Sequence, residues 1–289
     1  MDAVVETIGL TKRYGSVKAL DNCELALPLG KVTGLVGPNG AGKTTLIHLA
    51  VGLLRPTAGS IAVFGHDSTR DILKILPRVG FVAQDRPLYG DLTVAETLEL
   101  GRRLNARWDA AYALARVQRF GLPLSRRIRT LSTGQRAHVA TSIALGKRPE
   151  LLLLDEPVAN LDPVARIALL EELMSVVAED GLTVVFSANA LADVERVCEH
   201  IVILVNGRPR LTGDTEELID SHVVAIGPRS KGVSALDGEL IEARHAERQT
   251  IRLLRGPGPS RLDDGTVVRP ATLEEIVLGY MRPATEVAA

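Results

Sequence analysis

Apolar residues near the N-terminus fall into short runs: VVETIGL at 4 to 10, DNCELALP at 21 to 28 and KVTGLVG at 31 to 37, with polar turns between them. Runs of this length bounded by turn residues predict strands. KVTGLV then passes through a glycine-rich turn into TTLIHLAVGLL, a helical pattern that Pro56 is expected to stop, and GSIAVFG and RVGFVA predict further strands. Near residue 90 the pattern turns helical, with TVAETLELGRRLN and AYALARVQRFG, before strands return at LLLLDE, TVVFSA and IVILV. Buried apolar strands alternating with crossover helices predict an α/β fold. Its sheet core is mixed and largely parallel, with an antiparallel β part at the N-terminus and a helical insertion of about residues 88 to 148.

The helix after LLLLDE is marked at both ends. Asp162 is placed to cap it, Pro163 takes its first position, Ile167, Leu170, Met174 and Val177 share one face expected to pack in the core, and Gly181 ends it. After NGRPRLTGD (206 to 214), short strands at HVVAIG, QTIRLLRG and GTVVRP precede a closing helix in TLEEIVLGYM, where Thr272 and Glu275 form a capping box. The chain therefore divides into residues 1–215 and a small C-terminal α/β domain, 216–289. The second part carries no catalytic constellation, and a scaffold or dimer contact is its expected role.

The 289 residues hold 34 basic and 35 acidic side chains, so the molecule exerts no global pull on nucleic acid or acidic membrane. Cys23 and Cys198 stand far apart without metal-type spacing, which favours a reducing compartment. The start, MDAVVETIGL, lacks the basic-then-apolar pattern of a signal peptide, and no window approaches 18 apolar residues, so a peripheral position is expected if the protein serves a membrane. Locally, residues 101 to 129 carry eight arginines (102, 103, 107, 116, 119, 126, 127, 129) against one acid, Asp109. They predict either a solvated helix face or a surface for anionic lipid or an acidic loop of a membrane partner. Trp108 and Tyr112 are the only rings before Phe120, too few for a nucleic-acid stacking platform.

The chemistry concentrates at two points. GPNGAGKTT, residues 37 to 45, fits G-x-x-x-x-G-K-[ST] between a strand and a helix. Its glycines let backbone N–H groups surround phosphate oxygens, Lys43 reaches the β and γ phosphates, and Thr44 can ligate Mg²⁺. LLLLDEPVANLDP, residues 151 to 163, ends a buried strand on two carboxylates, Asp155 and Glu156, which cost several kcal/mol to bury unpaired. Alone this pair also reads as a helix cap. Beside the phosphate loop, Asp155 is placed to hold the metal and Glu156 to polarise the attacking water.

With LSTGQ at 131 to 135, the sequence resembles the nucleotide-binding subunits of ABC transporters over about residues 4 to 215. The resemblance implies a P-loop NTPase fold of the ABC ATPase type, ATP and Mg²⁺ as cofactors, and ATP hydrolysis coupled to transport. It implies that Tyr14 stacks on adenine, that Gly37, Pro38, Asn39, Gly40, Ala41, Gly42, Lys43, Thr44 and Thr45 cradle the phosphates, and that Gln84 contacts Mg²⁺ and communicates with the membrane subunit. Ser132, with the N–H groups at Gly134 and Gln135, is implied to open a helix whose positive end meets the γ-phosphate of an opposite subunit. Two copies, in a homo- or heterodimer, then sandwich two ATP molecules head to tail, with 159 to 163 crossing the interface. Thr133 stands where the family signature has glycine, and Asn189 where the family usually has a histidine that contacts the γ-phosphate. An amide donates a hydrogen bond but carries no charge and relays no proton, so slow turnover is expected. Looser matches in KRPELLLLDEPVANLDP and VERVCEHIVILVNGRPRLTGD imply a bacterial drug or antibiotic exporter, peripheral on the cytoplasmic face of the membrane. A weakly hydrolysing regulatory subunit is a second expectation. A soluble ABC ATPase acting on ribosomes or DNA is a third, although such relatives usually carry two cassettes or a long coiled coil.

Overall fold

A computed structural model of the chain describes residues 3–228, 238–245, 249–256 and 266–282. The first strands, β1 (Ala3–Tyr14) and β2 (Val17–Pro28), form a long antiparallel pair. β3 (Val32–Val36), buried at every residue, delivers the chain to the phosphate loop and α1 (Lys43–Ala50). Helix α1 ends well before Pro56, where the sequence pattern placed its stop. Gly52 adopts φ 71°, its N–H donates to the Leu49 carbonyl, and that of Leu53 donates to His48, so a left-handed glycine turn closes the last carbonyls.

β4 (Ala58–Val63) pairs with β1 and β5 (His66–Asp67) with β4, completing an antiparallel sheet in the order β2-β1-β4-β5. A short α2 (Ile72–Ile75) precedes β6 (Val79–Val82). Three helices follow, α3 (Val94–Leu104), α4 (Ala110–Arg119) and α5 (Thr133–Gly146), then β7 (Leu151–Leu154), α6 (Pro163–Asp180), β8 (Thr183–Ala188), α7 (Leu191–Val197), β9 (His200–Val205) and β10 (Arg208–Asp214). The second sheet runs β10-β9-β3-β8-β7-β6, parallel except for β10. Both of its faces are covered, as a parallel sheet requires. The four leucines of β7 divide by period two: Leu151 and Leu153 enter the core shared with α1 and the first sheet, Leu152 and Leu154 the core under α5 and α6.

Helices α3 to α5 bury a small core of their own, including Val94, Val117, Ile128 and Val139. Trp108 is seated against Gly101 and Gly146, where an added Cβ would come within 2.6 Å of the indole at either position. The arginines of 101–129 are not an open cationic face. Arg102 and Arg103 pair with Glu99, Arg116 with Glu172 and Glu179, Arg119 with Glu172, and Arg129 with Asp91, so acids outside the segment answer most of its charge.

Helix α6 begins as its sequence predicts, with the Asp162 carboxylate accepting from the Val164 and Ala165 N–H groups and Gly181 at φ 63° closing it. Its buried stripe overlaps the predicted one, with Met174 and Val177 packed against the same core cluster as Leu170. Leu169, Leu170, Leu173 and Val176 are buried, whereas Ile167 is 41% exposed and Met174 and Val177 only half-buried. Leu169, Leu170, Leu173 and Val176 pack into the cluster shared with α5 and the sheet, and Glu172 pairs with the buried Arg116 of α4, tertiary contacts that local periodicity does not contain.

Beyond β10 lie α8 (Thr215–Asp220), β11 (His222–Pro228), β12 (Glu239–His245), β13 (Gln249–Arg255), β14 (Val267–Pro270) and α9 (Leu273–Met281). The strands form an antiparallel sheet in the order β12-β13-β11-β14. The expected capping box of α9 is present at Thr272 and Glu275. Leu273, Ile276 and Val277 join the same apolar cluster as Ile201, Ile203 and Leu218, which fastens this sheet to the rest. Gly265, the first residue of the predicted GTVVRP strand, lies outside the described residues.

Candidate nucleotide site

The loop between β3 and α1 needs its glycines for two reasons. Gly40 and Gly42 hold φ values of 80° and 105°, backbone that L-residues rarely adopt. At Gly37 an added Cβ would stand 2.1 Å from the Leu204 carbonyl oxygen, and at Gly42 2.4 Å from that of Ala19. Between them the Ala41 N–H donates to the Pro38 carbonyl at 3.0 Å, closing the turn. No side chain caps α1, so its first N–H groups remain for an anion.

Lys43 is 5% exposed, and its ammonium donates to the carbonyls of Gly37 at 2.6 Å and Pro38 at 3.2 Å. Burial lowers its pKa, opposed by the negative charges of Glu156 and Asp155. A pocket of about 250 Å³ opens here, walled by Val17, Ala19, residues 39–45 and Glu156. Tyr14 sits beside it at the β1–β2 turn, paired with Val17, 48% exposed and with the Lys12 ammonium 5.2 Å from its ring centre.

Asp155 directly follows β7 and is 1% exposed. One carboxylate oxygen accepts from the Thr44 hydroxyl at 3.1 Å and the Ser187 hydroxyl at 2.7 Å. Glu156 follows with φ 45°, a conformation that costs a non-glycine residue about 1–3 kcal/mol. Three contacts from two segments hold it there. Its N–H donates to Ser187 Oγ at 2.8 Å, Gln84 Nε2 donates to Oε2 at 3.0 Å, and Asn189 Nδ2 donates to Oε1 at 2.6 Å. The structure thus brings together residues 37–45, Gln84, Asp155, Glu156 and Asn189, separated by up to 152 positions in the chain.

Ser132, Gly134 and Gln135 do not line this pocket. Ser132 caps α5, its hydroxyl accepting from the Gln135 N–H while Gln135 Oε1 accepts from the Ser132 N–H. Of the two N–H groups expected to stand open, that of Gln135 is therefore used by the cap. Gly134 is needed for packing, since a Cβ there would meet Ala165 at 2.7 Å.

Two residues escaped the sequence reading. Ser187 joins the Asp155 side chain to the Glu156 main chain, and its only sequence signal is a hydroxyl inside the apolar strand TVVFSA. Arg86, 9% exposed and at φ 46°, donates to the carbonyls of Pro157 at 2.6 Å and Ala159 at 3.2 Å, while its Nε finds no partner among the described residues. It lines a groove of about 320 Å³ with Leu53, Phe81, Leu88, Ile143 and Lys147, a wall that contains no carboxylate.

The donor set fits a hard cation shared with a polyphosphate. Asp155 and the Thr44 hydroxyl supply oxygen ligands, and among the described residues no group of three or more His, Cys, Asp or Glu forms a closed metal cage. Mg²⁺ is typically held by one or two carboxylates with substrate oxygens completing its shell.

Comparison with known proteins agrees with this geometry. Residues 20–159 match the family model described as ABC transporter. The daunorubicin resistance ATP-binding protein DrrA3 of Streptomyces coeruleorubidus is 37% identical, the match covering 75% of this chain and 70% of that protein. The probable sulfate/thiosulfate import ATP-binding protein CysA of Chlorella vulgaris is 34% identical over 76% of this chain and 94% of its own. The solved dimer of the ATP-binding cassette MJ0796 in a post-hydrolysis state with ADP and Pi aligns at a TM-score of 0.66 and 27% identity, covering 73% of this chain and 98% of that one. Motifs, fold and relatives converge: the chain belongs to the ABC transporter family as an ATP-binding subunit, and it is an ATPase.

Proposed function

We propose that this subunit hydrolyses ATP to power a separate membrane protein that exports a drug or antibiotic. The observation that carries the hydrolytic part is the meeting of Thr44, Asp155 and Glu156 beside the 39–45 loop. In this reading the loop amides and Lys43 bind the β and γ phosphates, while Thr44, Asp155 and Gln84 hold Mg²⁺, which when bound offsets phosphate charge. Glu156 accepts the proton of the attacking water. Tyr14, exposed beside the pocket, offers a ring face to adenine. Ser132 and Gly134 lie outside the pocket, which supports a head-to-tail second copy, homo- or heteromeric, as their point of use. The daunorubicin relative favours export of a drug-like compound.

No helix of the described residues is long and apolar enough to cross a membrane, so the spans are assigned to another chain. The groove beside Gln84 suits an apolar helix of that subunit carrying one carboxylate, because Arg86 and Lys147 reach only carbonyl acceptors there. The protein then sits on the cytoplasmic face of the membrane.

Phosphate release by the purified chain, compared with Glu156→Gln and Lys43→Ala, tests the hydrolytic assignment. Lys43→Ala is expected to lose ATP binding, and Glu156→Gln to keep binding and lose turnover. Equal background rates in all three proteins refute it. Should the adjacent coding region encode a multi-span protein, its co-purification, expected for the native chain and lost for Arg86→Glu, tests the groove, and equal recovery with both refutes it.

A further inference from the structure

We propose that Asn189 acts as a positioning residue for Glu156, orienting its carboxylate, and does not itself read the nucleotide. The inference rests on Glu156 being the base of hydrolysis, and it gives the residue that replaces the family's usual histidine a different task.

The argument starts from the backbone. β8 ends at Ala188, whose place is fixed by parallel pairing with Val36 of β3, so the strand direction at residues 187 to 189 is set by the sheet. Ser187 lies on the strand and Asn189 is the first residue past it, and both reach Glu156. Ser187 Oγ accepts from its main-chain N–H at 2.8 Å, and Asn189 Nδ2 donates to Oε1 at 2.6 Å. Gln84 Nε2 closes on the other oxygen at 3.0 Å.

An unrestrained glutamate side chain explores rotamers worth about 1.5–2 kcal/mol of entropy. A donor on each oxygen leaves one carboxylate orientation, and the strained φ of 45° aims it into the phosphate pocket. A 2.6 Å contact from a neutral amide to a carboxylate is a charge-assisted hydrogen bond. Asparagine suits the task because its amide donates irrespective of pH, whereas an imidazole changes charge near about pH 6.5. One of the two N–H groups of the Asn189 amide is taken by Glu156, while Lys43 and the loop amides supply the donors for phosphate.

The first test needs no turnover. In the nucleotide-free full-length chain, the Asn189 side-chain amide resonance, assigned by its loss in Asn189→Gln, is expected to shift upfield in Glu156→Ala; an unmoved resonance overturns the clamp. The second is kinetic. Asn189→Ala is expected to lower kcat roughly ten- to hundredfold, the cost of a misplaced catalytic group, with the KM and calorimetric Kd for ATP within about twofold of native. In a Glu156→Gln background the same substitution is expected to cost nothing further. A tenfold weaker Kd with kcat retained, or a full additional loss in that background, assigns Asn189 to the nucleotide and overturns the proposal. Should Glu156→Gln turn over like the native protein, the base assignment fails, while the resonance still reports on the clamp.

Discussion

Replacing Arg116 by methionine strands Glu172, a carboxylate whose side chain is 4% exposed, without the guanidinium that donates to it at 2.9 Å. Removing one partner of a buried ion pair costs about 3–5 kcal/mol, because the remaining charge stays desolvated. Two further contacts bear on that figure. Arg119 approaches the other Glu172 oxygen at 3.3 Å but is 53% exposed, and Glu179, the second acceptor of Arg116, is 51% exposed. Exposed pairs contribute about 0–1 kcal/mol each, so one partly compensates and the other adds a similar small loss. The net expectation is about 3–5 kcal/mol, against a total stability of about 5–15 kcal/mol for a typical protein. For a chain of this size that is a fall of about 10 °C in Tm. Trp108, the sole tryptophan, lies between α3 and α5 next to α4 and reports unfolding by fluorescence in urea. The double variant Arg116→Met with Glu172→Met removes both charges and is expected to return to within about 1 kcal/mol of the native protein. A single variant within about 1 kcal/mol of native, or a double variant no better than the single, refutes the claim that this pair sits in a desolvated joint between α4 and α6.

Ser187→Ala withdraws a donor from Asp155 and the acceptor of the Glu156 N–H. About 1–3 kcal/mol of stability goes with an unsatisfied buried group, and calorimetry is expected to show weaker Mg²⁺-dependent ATP binding; unchanged melting and binding together reject the bridging role. Gly37→Ala drives a Cβ against the Leu204 carbonyl 2.1 Å away and is expected to abolish ATP binding, which retained affinity on titration contradicts. Glu275, ion-paired with Arg269 and accepting from Thr272, has its carboxyl pKa held down to about 2 from 4.5. Its folded pKa is depressed, so its stabilisation is present above about pH 4.5 and is lost as pH falls toward 2. Glu275→Gln is therefore expected to flatten part of the acid limb of Tm against pH, and an unaltered limb counts against the capping ion pair.

Much of the site was legible because its chemistry is written locally. The phosphate loop is contiguous, the cap residues Asp162, Ser132 and Thr272 act on N–H groups two or three positions ahead, and the LLLL run before Asp155 and Glu156 marks a strand buried on both faces. The misses are nonlocal except at the end of α1. Pro56 was read as the end of α1, but the left-handed turn at Gly52 acts first. The predicted stripe of α6 included Ile167, which is exposed, whereas Leu169, Leu170 and Leu173 meet the core shared with α5 and the sheet. The arginines of 101–129 looked unbalanced because Glu99, Glu172, Glu179 and Asp91 lie outside that window.

The sequence by itself determined which groups exist to bind a polyphosphate, where strands and helices begin, and which family the pattern resembles, since each rests on residues a few positions apart. Only the tertiary structure decided that Ser187 joins Asp155 to Glu156, that Arg86 reaches the carbonyls of Pro157 and Ala159, and that the Asn189 amide is directed at a carboxylate. Sheet order set those outcomes: β3 lies beside β8 and β8 beside β7, so the strand ends carrying Gly37, Asp155 and Asn189 emerge together. Hydrogen bonds are made at about 3 Å between groups whose chain separation is irrelevant once packing has fixed the strands.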